Sequence, residues 1–486
     1  MRGIINKEYK GAVSIYLCLV LAVLIPLITM MIEAARYSAM KLQIECAVDM
    51  AADSAMAEYH RELLDEYGLL FVDTSYKSSS GSVSNVSNHI SSYINANMQP
   101  TEKDILSVAR DLYGLLKDTV DITGVALATD NEGEVFKYMA VSYMEEYLGY
   151  AYVEDLLDVC EETASGGIFD IDIEKELDSA MDAFSSYSFS EEDMDTYELT
   201  EEPDFDNPSE GIEEIRSKDI LEIVCDGGIS GKTITPELYV SSRSLVKGNG
   251  MYEKWEDRNS MLSEMLFNEY ILQMCGNYLQ LKEDSLLDYQ VEYILFGNNN
   301  DTENLKVTAA MLLGIRGGAN LIYLMGDEEK MDIIEQLSED ITVLFPPLQP
   351  VVETLLMMIW VYGESIIDVK QLMHGGSVSI NTTDEEWDLS LENCITSISD
   401  LITGDVTIRK DPGGSYYKDY LRLLLFVSNK EEKVMRCMDI VEMDIRKHTG
   451  INDFRLDNCA AAFNMQAIVE SSAGYEFIVK RDFGYR

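Results

Sequence analysis

Positive charge is what this chain most lacks. Lysine and arginine number 37 against 87 aspartates and glutamates, leaving −50 over 486 residues. A field of that sign repels phosphate backbones, so no nucleic acid is expected as a partner, and the acid reads as the solvated surface of a soluble region. Histidine is nearly absent. His60, His89, His374 and His448 each lack a second ligand three or four residues on, which excludes the usual zinc spacing. None of the eight cysteines stands in a CxxC, and their gaps are long and irregular, so neither a zinc ribbon nor a thioredoxin-type pair is read. Cys18 lies in an apolar run and Cys46 on the helix past it; Cys160, Cys225, Cys275, Cys394, Cys437 and Cys459 could pair in an oxidising environment, and buried free thiols are the default reading. The three tryptophans, Trp255, Trp360 and Trp387, are assigned to core packing.

Complete chemical motifs are lacking as well. No GxSxG occurs, so a hydrolase elbow has no support. GGISGKT (227–233) approaches a phosphate-binding loop, but Asp226 stands where the first glycine is required, and ITPELYV follows where a helix must start. NNNDTEN (298–304) and TDNEGE (129–134) offer oxygens without the EF-hand spacing. Both are read as strand-to-helix junctions, where capping accounts for them. No catalytic residue, metal ligand, cofactor or small-molecule substrate is therefore expected.

One long uncharged run is present. Ala12 to Ile32 is about 21 residues, enough to cross a hydrocarbon core of roughly 30 Å. Glu33 to Tyr67 then continues without Gly or Pro, rich in Ala, Met, Glu and Leu, and predicts one helix from Ala12 to Tyr67 with Gly68 as its left-handed cap. Pro26 is a candidate kink. Arg2, Lys7 and Lys10 precede the run, so residues 1–11 are expected in the cytoplasm as a leader and the bulk of the chain outside the cell. That gives a leader (1–11), a transmembrane helix (12–32) and a stalk helix (33–68). Ala47, Ala51 and Ala55 place small side chains on one face of the stalk, suited to close packing against the protein's own ectodomain or against another helix.

The rest divides into a first ectodomain part (69–169), an acidic linker (170–214) and a helical ectodomain (215–486). Lys77 to Lys103 reads as a surface connection with a short helix at 89–95, and Asp104 to Leu116 as helix. Val120 to Leu127 reads as a strand, and Leu287 to Leu295 alternates apolar and polar residues and reads as another. Helices are expected over 135–157, 251–281, from 301 or 302 to about 324, 327–344, 350–373, 388–402 and 416–448. The helix at 350–373 is apolar, but Glu353, Glu364 and Asp368 make it a buried core helix rather than a second span. Phe463 to Val469 and Tyr475 to Val479 alternate around SSAG, a hairpin expected to pair with 120–127 and to lie under Met50, Ala51, Ala55 and Leu63 of the stalk. The fold class is α+β and predominantly helical: a long N-terminal transmembrane and stalk helix, a helical ectodomain and a small antiparallel sheet.

The signature Lys10-Gly11-Ala12-Val13, the apolar run and the alanine-rich helix after it resemble the N-terminus of TadE/TadG-type pseudopilins. The wider chain resembles a family of membrane-anchored proteins of Gram-positive anaerobes associated with Tad-like pilus genes, through residues 33–73, 126–141, 289–305 and 454–459. The resemblance implies a minor pseudopilin-like component of a Tad-type pilus system, with the membrane and pilus or secretion-system proteins as partners. It also implies processing between Gly11 and Ala12. The family places Glu five residues after that glycine, whereas this chain has Tyr16, so cleavage and an uncleaved anchor both stay open. An anchored surface-binding or sensor module is the alternative.

Overall fold

The computed structural model describes residues 8–76, 80–98, 115–188, 190, 196–197, 207–235, 238–249, 260–396, 404, 407–411, 414–472 and 474–485. The first helix, α1 (Glu8–Met56), has 49 residues and is roughly 74 Å long. Almost all side chains from Val13 to Ile32 stand exposed, an apolar sleeve long enough for lipid to cover. α1 is therefore a single-pass membrane anchor. Burial begins at Met40, so the last four turns serve the ectodomain.

The stalk stops short of the predicted Tyr67. The backbone at Tyr59 bridges Val72, and the amide of His60 donates to the Phe71 carbonyl at 2.8 Å, so returning chain competes for groups the helix would use. His60 restarts the helix, its ring nitrogen accepting from the Leu63 amide, and α2 (Arg61–Tyr67) ends at the expected left-handed Gly68, φ 66°. A short strand, β1 (Val72–Asp73), follows, then α3 (Val83–Met98), which is longer than the 89–95 expected. The helix expected from Asp104 falls outside the described residues up to 114. Leu115 and Leu116 already belong to β2 (Leu115–Leu127).

Three more helices lead into the acidic stretch: α4 (Asp130–Leu148), α5 (Tyr150–Ser165) and α6 (Ile173–Ser185). The opening turn of α4 is left-handed at Asn131, Glu132 and Gly133. Gly133 is required there, because a Cβ would lie 2.6 Å from Val434 and Met438. α6 lies inside the segment read as linker. Asp172 caps it, and Ile173, Leu177 and Ala180 recur at helical spacing and are buried, so this part is packed despite its acid.

The remaining helices are α7 (Glu210–Arg216), α8 (Ile220–Val224), α9 (Met261–Met274), α10 (Gln290–Phe296), α11 (Asp301–Gly326), α12 (Glu328–Ile341), α13 (Gln349–Met373), α14 (Leu391–Thr396), α15 (Tyr417–Val427) and α16 (Lys430–Thr449). The expected strand at 287–295 is corrected: it is α10. Alternation signals a strand only if the polar residues face water, and here Gln290 and Glu292 are as buried as Val291 and Ile294. The stretch 416–448 is two helices, divided where Asn429 caps α16. α11 and α13 are apolar enough in composition to cross a membrane, but most of each is buried in the ectodomain core, and Arg316 and Asp368 pair between them. α13 packs against α6, α11 and α12, while α9 and α16 pack on α4.

The sheet closes the chain on its beginning. β3 (Cys459–Ser471) is central. It pairs antiparallel with β2 on one side (Val120 opposite Ala467), and with β1 (Val72 opposite Ala460) and β4 (Glu476–Gly484; Val479 opposite Ala467). Phe463, Met465, Ala467 and Val469 point to one face with Val120, Val125, Phe477 and Val479, and α1 and α3 cover that face. A larger core holds the helices. α2 belongs to it, so Leu63, expected under the hairpin, packs with the helices instead, and Met50 is exposed.

Candidate functional site: the anchor seat and a cation-rimmed cavity

The anchor seat is built from small residues. Ala47, Ala51 and Ala55 are 2%, 0% and 1% exposed, packed with Met40, Ile44 and Val48 against Val86, Ile90 and Ile94 of α3 and the apolar sheet face. The stripe is thus occupied by the protein's own ectodomain. β4 latches on from the other end of the chain. Arg481 pairs with Asp49 at 2.6 Å, the Tyr485 hydroxyl donates to the Met56 carbonyl, and the Tyr37 ring meets Tyr475 and Phe477 at 5.5 and 5.1 Å. At the base, Glu58 accepts from Tyr93 at 2.7 Å and meets His89 at 3.1 Å. Gly11 lies in the first turns of α1 with open space around its Cα, Ala12 follows in the same helix, and Tyr16 is exposed on the span.

Sequence motifs fall into structural roles. The loop GGISGKT bridges to Asn300 through Thr233, and the Ser230 hydroxyl donates to Asp301 at 2.7 Å. In NNNDTEN, Asn300 is the cap of α11, one residue before those expected. Asp301 accepts the amides of Asp288 and Tyr289, and Asn304 holds Asn298. This junction follows a helix, α10, rather than a strand. In TDNEGE, Asp130 accepts from the amides of Leu127 and Gly248, tying β2 to the 238–249 loop. All eight cysteines are free; six are buried, and Cys18 and Cys46 are exposed. Trp360 and Trp387 both donate to the Leu389 carbonyl, at 2.9 and 3.0 Å, while Trp255 falls outside the described residues. No group of three His, Cys, Asp or Glu side chains is placed to hold a metal ion among the described residues.

Buried ionisable networks are what sequence reasoning missed. Arg316 is fully buried and donates to Asp368 (3.0 Å), Asn320, Thr382 and the carbonyls of Ser379 and Ile380, clamping the loop after α13 onto α11. Glu364 accepts the amides of Asp388 and Leu389, both at 2.8 Å, and burial with Asp368 nearby pushes its pKa up to about 8. Glu292 accepts from the Tyr417 hydroxyl and the Tyr278 amide, and burial raises it to about 7. Burial likewise raises Asp439 to about 6 and lowers Lys433 to about 8. Alternation at 287–295 hid Glu292 by suggesting that it faced water.

A cavity of about 580 Å³ opens between α6, α7, α8, α11 and α13. Its floor is apolar and buried, formed by Ile168, Ile173, Ile215, Leu313 and Ile366. Arg216, Lys218 and Lys306 stand at its edge, and the Tyr362 hydroxyl donates to Glu174 at 3.1 Å within it. Size and lining are those of a small-molecule pocket. A sequence signal existed: from Asp170 to Glu214 the only basic residue is Lys175, and then Arg216 and Lys218 come together.

A model of a family of unknown function (DUF5702) matches residues 198–471, more than half of the chain. The chain belongs to that family. The DUF5702 region takes in α7 to α16 and β3, and so one side of the cavity, while α1, α3, β2 and β4, which make the anchor seat, lie outside it. No curated protein and no solved structure matches the chain.

Proposed function

We propose that this protein is an anchored structural or assembly component of the cell surface, acting as a minor pseudopilin-like part of a Tad-type pilus system with its ectodomain outside the cell. The observation that supports the reading most is the continuity of α1. One helix runs from the apolar sleeve into a seat on an antiparallel sheet, and the last strand of the chain completes that seat. An anchor built this way transmits position from membrane to ectodomain without a flexible joint, as a part assembled from the membrane requires. The basic residues before the span support an orientation with the ectodomain outside. The reading assigns no reaction to the protein. Deleting the gene and imaging the cell surface tests it: pili are expected to be lost or reduced and restored by the full chain, whereas normal pili overturn it.

The second reading, an anchored surface-binding or sensor module, draws on the cavity, which a purely structural part does not need.

A further inference from the structure

The glycines of α11 single out the cavity. A Cβ on Gly317 would come within 2.7 Å of Ile173, and one on Gly318 within 2.4 Å of the Ile168 carbonyl, so close packing requires both. Gly314 is different. A Cβ there would meet nothing within 4 Å, and the residue lines the cavity. A glycine inside a helix costs about 1 kcal/mol relative to alanine, and at Gly314 no contact within the protein accounts for that cost. What the missing side chain leaves is room, at the mouth, above the isoleucine floor.

The charge around that room runs against the rest of the molecule. On a chain of net charge −50, three cations gather at one mouth. Arg216 is committed to Glu174 and Asp178, at 2.8 and 2.6 Å. Lys218 pairs with Glu214 and Lys306 with Asp219, both in exposed pairs. Such pairs contribute about 0–1 kcal/mol, so an entering anion exchanges for either carboxylate at little cost. Of the two acids that line the cavity, Glu174 is held by Arg216 and Tyr362, and Asp172 caps α6.

We propose that the cavity binds a single-chain amphiphilic anion of the fatty-acid class, its chain lying over Gly314 on the isoleucine floor and its head group between Lys218 and Lys306. The pilus reading neither requires this nor is required by it, so failure here leaves the deletion experiment untouched.

The test uses the full chain in lipid nanodiscs and a diazirine-bearing decanoate as the probe, with adducts mapped by mass spectrometry and empty nanodiscs as background. Saturable labelling of peptides from α11 and from 215–223 is expected, with decanoate displacing the probe about tenfold better than decanol, the worth of one charged contact. Lys218→Gln with Lys306→Gln should remove that preference while decanol competes as before. Gly314→Phe should abolish cavity labelling, and Gly314→Ala, which adds a Cβ in open space, should keep the fold and melt no lower than the parent. Labelling confined to the span at 12–32, equal displacement by decanol in the parent, or undiminished labelling of a folded Gly314→Phe protein each overturns the proposal.

Discussion

Removing the last strand is the sharpest perturbation of the anchor seat. A chain ending at Gly474 loses Phe477 and Val479, each about 5–6% exposed in the sheet face under α1. Burying side chains of this size is worth about 1.5–3 kcal/mol apiece, so the two account for roughly 3–6 kcal/mol before the ladder to β3 is considered. A whole domain is stable by only about 5–15 kcal/mol, so the loss is large. It should also be local, because the seat and the helical core are separate clusters joined through β3 and α2. Limited proteolysis of the full and shortened chains in membranes, with cut sites mapped, reads both features. The shortened chain should be cut within α3 and at the turn after Met56, while α9 to α13, α15 and α16 stay resistant. Identical digestion of the two chains would refute the reasoning.

Four further outcomes follow from the same contacts. Ala51→Phe should lower unfolding stability by about 1–3 kcal/mol in urea titrations, because the site is filled, while Ala57→Phe on the exposed turn should change it by less than about 0.5. Arg316→Met should cost about 3 kcal/mol by leaving buried Asp368 with only the more distant Arg409, 3.9 Å away, as its cation, and adding Asp368→Leu should recover part of that loss; no recovery would mean that the clamp on the 379–382 loop carries the stability. Stability should fall as pH rises from about 4.5 to about 7. Glu292, raised from 4.5 to about 7, holds its proton more tightly folded than unfolded, so its contribution is fully present below its unfolded value and lost by pH 7, about 3 kcal/mol at most. Glu364 and Asp439, also raised by burial, add to the slope in the same direction, so Glu292→Gln should reduce it without abolishing it, and an unchanged slope places the titration elsewhere.

The architecture was legible where one physical signal dominated. The apolar run reads as a span from its length alone, and the alternation at 463–469 and 475–479 gives the hairpin, although Met50 and Leu63 do not lie under it; the spacing of the alanine stripe fits the ectodomain or another helix and does not choose between them. The errors share a cause. At Tyr59–His60 a helical sequence yields to backbone bonds from Phe71 and Val72, some dozen residues on, which no local pattern carries. At Gln290–Phe296 alternation implies one wet face, but Glu292 is buried and one of its oxygens accepts from Tyr417, 125 residues away. At Ile173–Ser185 composition suggested a solvated linker, although three apolar residues at helical spacing were enough to dock it. The cavity had the weakest signal, two cations after a long acidic stretch, because its walls come from five helices spread over residues 168–366.

One helix is proposed both to span the membrane and to end seated beneath the last strand, outside the cell. Asp49→Cys with Arg481→Cys, in a Cys46→Ser background, tests it on intact protoplasts treated with a short, membrane-impermeant bis-maleimide. The 2.6 Å ion pair at this position predicts an intramolecular crosslink that forms before lysis and needs both new thiols. A crosslink that appears only after lysis would contradict the orientation. One that joins only separate chains would contradict the seat.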